Sequence, residues 1–312
     1  MSEIIYKGIF HSFGAACVLL LTAHLSSASE PLTTNPRPIK LLLENGFVEV
    51  NSGQALKSTK SRSFLKATDL AQSNAEIPKS PSFLTMNVYI EGDGAAWKAR
   101  QIPPSDPTPE NPMGAKLASI DRSALVGYIG RPCMYLPPFE LQSCPQTLWT
   151  SGRFGEQALN ISSQALDNLI QLTRARLALH PNSSIEVNLI GYSGGGVLAT
   201  LLAAQRSDIA CLVTIASPLD IEVWTRYQNI APLIDSFNPA YPDIHLKTIP
   251  QTHFYGAKDK IVPAESLGRY ENWSENRNES STIQILLDFN HHEFCVEKWA
   301  LLQSKSCLNN KN

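Results

Sequence analysis

The 312-residue sequence lacks any apolar run of the roughly 18 to 20 residues that cross a bilayer, which argues against an integral membrane span after processing. It also lacks an excess of basic charge: 26 Lys plus Arg stand against 28 Asp plus Glu, a formal net charge of -2. That balance is not the footprint of a nucleic-acid binder, and no nucleic-acid partner is expected. None of the six cysteines forms a CxxC pair, so a thiolate zinc or redox centre is not expected. GxGxxG and GxxxxGK are absent too, which removes the two common phosphate-cradling loops. Neither a metal nor a cofactor is therefore expected. What is present is 43% hydrophobic residues with only 17% charged ones, enough to bury a sizeable core and too apolar for a disordered chain.

The N-terminus reads as an export signal. Lys7 precedes the apolar stretch Phe13 to Ala23, and the small residues Ser26 and Ala28 suit the -3 and -1 cleavage positions. Cleavage after Ala28 and a secreted or periplasmic destination are expected. Cys17 would leave with the signal, and five cysteines would remain, at 133, 144, 211, 295 and 307. At least one thiol then stays free. Cys133 and Cys144 close a short loop and are the first disulfide expected in an oxidising compartment, with Cys295 and Cys307 a second candidate. Cys211 opens the apolar stretch CLVTIAS and reads as a buried small hydrophobe.

Residues 29–82 are polar, with two strand-like runs, Phe47 to Val50 and Ser63 to Lys66, separated by the turn residues Asn51, Ser52 and Gly53. An antiparallel hairpin joining the main sheet is expected there. From Phe83 the pattern changes to apolar strand runs alternating with helical stretches, which predicts one doubly wound α/β domain over 83–312. Strands are predicted over Leu84 to Glu91, Ala124 to Ile129, Ile185 to Ile190, Ile209 to Ala216, Gln251 to Tyr255 and Thr282 to Asp288. Helices are predicted over Met113 to Ile120, Gly155 to Leu179 and Val197 to Gln205, with a Pro-rich loop from Ile102 to Pro112. Residues 220–245 lack a strand and contain Trp224, Tyr227, Phe237 and Tyr241. They would either cap a substrate pocket or form a helix pair at the sheet edge.

The chemistry concentrates at Gly191-Tyr192-Ser193-Gly194-Gly195-Gly196, between the strand-like run SIEVNLI and the helical run VLATLLAAQ. This is GxSxG in a strand-turn-helix setting. A serine on so tight a turn needs glycine around it so that helix and strand can approach, and its Oγ then stands clear of the sheet. Here the chain resembles the serine hydrolases of the α/β-hydrolase superfamily. The resemblance implies a mostly parallel central sheet, and a carboxylate and then a histidine later in the chain. After the strand run HFYG, the stretch from Ala257 to Pro263 resembles the superfamily's GxxDxxVP turn, which makes Asp259 the acid. After TIQILLD, the pair His291-His292 occupies the place of the superfamily's catalytic histidine. His291 is favoured by its spacing from the strand end, with His292 as the alternative. The other histidines are assigned no role.

The resemblance also implies an oxyanion hole formed by the backbone N–H of Gly194 and a second N–H from the loop Glu91-Gly92-Asp93-Gly94. Asp93 is the expected donor and Gly94 its alternative. Where the superfamily commonly reads His-Gly-x, this chain has Glu91 in place of the histidine. Two acidic side chains beside a developing oxyanion would oppose it unless they turn away or are paired. YIEGDG followed by Trp97, the tripeptide RPC at 131–133, and GYSGGG together resemble a group of exported bacterial α/β-hydrolases. The expected function is cleavage of a carboxylic ester or related acyl bond in a small-molecule or lipid-like substrate. The opposing expectation is a binding or scaffold protein whose EGDG loop has spoiled the oxyanion hole.

Overall fold

The computed structural model describes residues 37–50, 60–67, 83–95, 102–241, 244–272, 281–293 and 296–309. The expected export signal, the expected turn at 51–53 and Cys295 lie outside them.

The described strands are β1 (Val48–Glu49), β2 (Ser63–Ala67), β3 (Phe83–Ile90), β4 (Leu125–Ile129), β5 (Ser184–Tyr192), β6 (Ile209–Ile215), β7 (Gln251–Gly256) and β8 (Ser281–Leu286). They form one sheet in the order β1-β2-β4-β3-β5-β6-β7-β8. β1 and β2 are antiparallel, with Val48 opposite Leu65, and β2 joins β4 antiparallel; the remaining pairs are parallel. The expected hairpin and the mostly parallel doubly wound sheet are both present. The helices with described bounds include α1 (Arg37–Glu44), α2 (Met113–Ile120), α3 (Pro138–Leu141), α4 (Glu156–Arg176), α5 (Gly194–Gln205), α6 (Ile221–Tyr227) and the C-terminal helix Trp299–Ser304.

Strand side chains alternate between faces, and that period of two sorts the core into two layers. Met86, Val88 and Ile90 of β3 and Val187 and Leu189 of β5 pack with Leu166 and Leu169 of α4 and Val197 and Leu202 of α5. Tyr89 and Ile190, one register away, join Leu117 of α2, Ile39 and Leu42 of α1 and Trp299 of the C-terminal helix on the other face. Covered on both faces, the central strands are continuous apolar runs, which is why they stand out in the sequence. α5 is buried along most of its length because GGGVLATLLAA is apolar or small on every side.

Three expectations need correction. Residues 37–44, for which no element was expected, form α1; Ile39 and Leu42, three apart, give this short helix a buried stripe. Among the described residues of the segment 220–245 there is one regular α-helix, α6, and not a helix pair, since Pro232 and Pro239 interrupt the chain beyond it. The second disulfide joins Cys211 to Cys307, with Cα atoms 5.8 Å apart, and not Cys295 to Cys307. Cys211 is buried as expected but not free: the turn after the C-terminal helix returns to β6, where the Cys307 N–H donates to Thr252 Oγ1 on β7. The Cys133–Cys144 bridge is present as expected.

Candidate active site

Ser193 sits where β5 turns directly into α5, with a left-handed φ of 51° that a non-glycine residue adopts only under constraint. The constraint is visible in the backbone: the Ser193 N–H donates to the Ile215 carbonyl on β6 at 2.8 Å, and the Ser193 carbonyl accepts from Gly196 at 2.9 Å. A Cβ at Gly191 would lie 2.4 Å from the Gly195 carbonyl oxygen, and one at Gly195 would lie 2.3 Å from that of Ile90. Both neighbours are backbone, so glycine is needed for the approach of strand, turn and helix. The N–H groups of the first turn of α5, Gly194 among them, have no partner within the helix and carry its positive dipole end.

Asp259 follows β7 in a turn closed by its own N–H to the Gly256 carbonyl. Its Oδ1 accepts from the N–H groups of Ile261 and Val262, both at 2.8 Å, which leaves Oδ2 to meet His291 Nδ1 at 2.8 Å. The carboxylate is fully buried and the imidazole nearly so. The Tyr192 ring lies 5.3 Å from that of His291, and its hydroxyl donates to the His291 carbonyl, so the residue preceding Ser193 also holds the histidine loop. With Nδ1 on the carboxylate, Nε2 is the nitrogen left for a reacting group. His292 is exposed, and its ring centre lies 5.7 Å from that of His291. Ser193, His291 and His292 line one cavity of about 720 Å³, together with the loop 91–95, Arg153, Tyr192, Trp224, Ile230 and Ile261.

The acidic loop after β3 is neutralised from both sides. The buried Glu91 turns to the start of α2, accepting from the N–H groups of Gly92, Gly114 and Ala115 and from the Tyr128 hydroxyl. Burial pushes its pKa up, and those donors pull it partly back. Asp93 accepts from Arg131 Nη1 at 2.6 Å and Arg153 Nη1 at 3.1 Å. Burial alone would raise the Asp93 carboxyl, but Arg153 and Arg131 outweigh it and hold the group below the ordinary range. The carboxylate packs on Gly194: a Cβ there would lie 2.0 Å from Asp93 Oδ1. The loop carrying the expected second donor is thus pinned beside the expected first one.

Arg153 carries no signal in the sequence, and the pairing of Arg131 with Asp93 none either. The RPC tripeptide marked Arg131 only as part of a resemblance, and Arg153 lies in an ordinary turn before α4. Trp224 was read with its neighbours as cap or core; its indole N–H donates to the Ile261 carbonyl at 2.8 Å in the cavity wall.

No protein-family model matches the chain, and no curated protein matches it. Among solved structures, an esterase of Pyrococcus furiosus is 14% identical at a TM-score of 0.51, over 89% of this chain and 94% of its own. A bifunctional GH43-CE protein of Bacteroides eggerthii is 16% identical at a TM-score of 0.53, over 86% of this chain and 38% of its own. An acylaminoacyl peptidase of Pyrococcus horikoshii is 11% identical at a TM-score of 0.49, over 83% of this chain and 40% of its own. The chain therefore spans well under half the length of the last two. At these identities the likeness to the first two is one of fold.

Proposed function

We propose that this chain, which has the α/β-hydrolase fold, is an exported serine hydrolase that cleaves a carboxylic ester or related acyl bond, with Ser193 as nucleophile, His291 as base and Asp259 as its orienting acid. The observation that carries this reading is the buried 2.8 Å contact between Asp259 and His291 beside the cavity that Ser193 also lines.

A serine hydroxyl is a poor nucleophile at neutral pH, so a base must take its proton as Oγ attacks the acyl carbon. Asp259 bonded to Nδ1 directs the basic lone pair of His291 to Nε2 and stabilises the imidazolium once the proton arrives. The carbonyl oxygen then carries negative charge, which the N–H groups of Gly194 and Asp93 would receive. One such donor lowers the barrier by on the order of 3 to 4 kcal/mol. Collapse of the tetrahedral intermediate returns the proton from Nε2 to the leaving group and leaves an acyl-serine. Water, activated by the same imidazole, releases the acid.

The two arginines on Asp93 and the donors on Glu91 remove the electrostatic ground for the inactive-scaffold alternative. Export is supported by the two disulfides, which persist in oxidising compartments. Among the described residues no helix is long and apolar enough to cross a membrane. The α6 segment, contributing Trp224, Gln228 and Ile230 to the cavity wall, would serve as its cap.

The test is labelling by a fluorophosphonate probe. The wild type is expected to be labelled at Ser193, and Ser193→Ala to lose both labelling and turnover of 4-nitrophenyl esters. A folded wild-type protein that resists the probe and hydrolyses esters no faster than Ser193→Ala would overturn the assignment.

A further inference from the structure

We propose that Arg153 binds a carboxylate carried by the substrate, so that the hydrolase prefers acyl groups bearing an anionic terminus; this rests on the reading of Ser193 as nucleophile. Arg153 forms part of the wall of the Ser193 cavity although its side chain is only 2% exposed. Its Nε donates to the Thr150 carbonyl at 2.9 Å and its Nη1 to Asp93 at 3.1 Å. Its Nη2 is buried and has no partner. A buried guanidinium N–H without an acceptor is costly, and an acceptor that enters with a ligand recovers that cost.

Charge decides in favour of a carboxylate over a neutral carbonyl. Arg131 and Arg153 are both buried and share the single carboxylate of Asp93. Arg131 spends its Nη2 on the Arg153 carbonyl at 2.7 Å, so it holds the Arg153 backbone in place and leaves the cavity wall to Arg153. Glu91, the other buried acid of the loop, is directed to the start of α2 and to Tyr128. Glu110, the remaining acid of the wall, is exposed. Arg131 also has the favourable charge of Glu91 nearby, whereas Arg153 has only its share of Asp93 as an ion-pair partner among the described residues, and a substrate carboxylate would complete its pairing through Nη2. Trp224, Ile230 and Ile261 line the same cavity and suit a methylene chain between the anionic end and the scissile carbonyl.

The experiment compares three esters of one chain length: 4-nitrophenyl hexanoate, the mono-4-nitrophenyl ester of adipic acid, and that adipate with its free carboxyl methylated. The wild type is expected to favour the free adipate over both neutral esters by on the order of tenfold in kcat/KM, the size of a charge-assisted hydrogen bond. The gain should lie mainly in KM, since the contact is made equally in ground and transition states. Arg153→Gln is expected to lower all three rates, because Asp93 loses a partner, and to abolish the ratio. Equal kcat/KM for the free and methylated adipates in the wild type overturns the inference without recourse to any variant, as does an Arg153→Gln protein that keeps the ratio. Ser193-dependent hydrolysis of the hexanoate with no adipate preference sinks the anion site alone. Absence of Ser193-dependent hydrolysis of all three sinks the underlying reading as well.

Discussion

Two adjacent histidines differ in burial and in what their rings meet. His291 gives Nδ1 to the buried Asp259 carboxylate, while His292 is exposed and has its backbone N–H on Asn290 Oδ1. His291→Ala is accordingly expected to lower ester kcat/KM by about 10⁴-fold, and His292→Ala to stay close to wild type; steady-state kinetics on 4-nitrophenyl acetate separates them. The glycines of the elbow can be tested just as locally. A methyl group at Gly191 would meet backbone atoms at 2.4 Å, which have no side-chain freedom to yield. Gly191→Ala should therefore destabilise by about 3 kcal/mol or more, read as a drop in the denaturant midpoint. Asp93→Ala strands two buried guanidiniums without their shared acceptor. Losing one partner of a buried ion pair costs about 3 to 5 kcal/mol, so this variant should be both less stable and less active than Asp93→Glu in the same melt and assay.

The elements that carry the site are loops anchored at both ends. The loop after β4 holds Arg131 on Asp93 and puts Cys133 and Tyr135 at left-handed φ values of 70° and 62°. The Cys133–Cys144 bridge closes it over a separation of 11 residues, and the Tyr135 and Tyr128 hydroxyls meet at 2.9 Å. The Cys211–Cys307 bridge closes a far longer loop, with a separation of 96 residues, and ties the C-terminal turn to β6. Chain entropy assigns about 3 kcal/mol to the short loop and about 5 kcal/mol to the long one. Cys211→Ala/Cys307→Ala is thus expected to lower the melting temperature more than Cys133→Ala/Cys144→Ala. The order should reverse for ester turnover, because the short bridge anchors the chain two residues after Arg131, whose guanidinium holds Asp93 against Gly194.

Across the whole molecule, stability should depend on pH through His253, which is buried in β7 with Nδ1 on Thr214 Oγ1 and Nε2 on Gln251 Oε1. Burial lowers its pKa from 6.5 to about 3. Between those values the unfolded chain binds a proton that the folded chain refuses, so stability is full above pH 6.5 and falls as pH drops toward 3. Denaturation at a series of pH values should show that slope in the wild type and a flatter one in His253→Asn. The sequence alone determined the parallel strands, because runs buried on both faces are apolar throughout, and it determined Ser193, Asp259 and His291 as candidates, because each follows a strand end in a fixed chain order. α1 is not legible in the sequence, since eight residues with two buried side chains make too weak a period. Tertiary structure alone decided which cysteine Cys307 reaches, which of two neighbouring imidazoles meets the Asp259 carboxylate, and how the acidic side chains of the EGDG loop are paired. Those outcomes rest on groups brought together from 32 to 96 residues apart, such as His291 on Asp259 and Cys307 on Cys211. Local pattern carries no record of such encounters, since only the packed sheet brings those side chains within bonding distance.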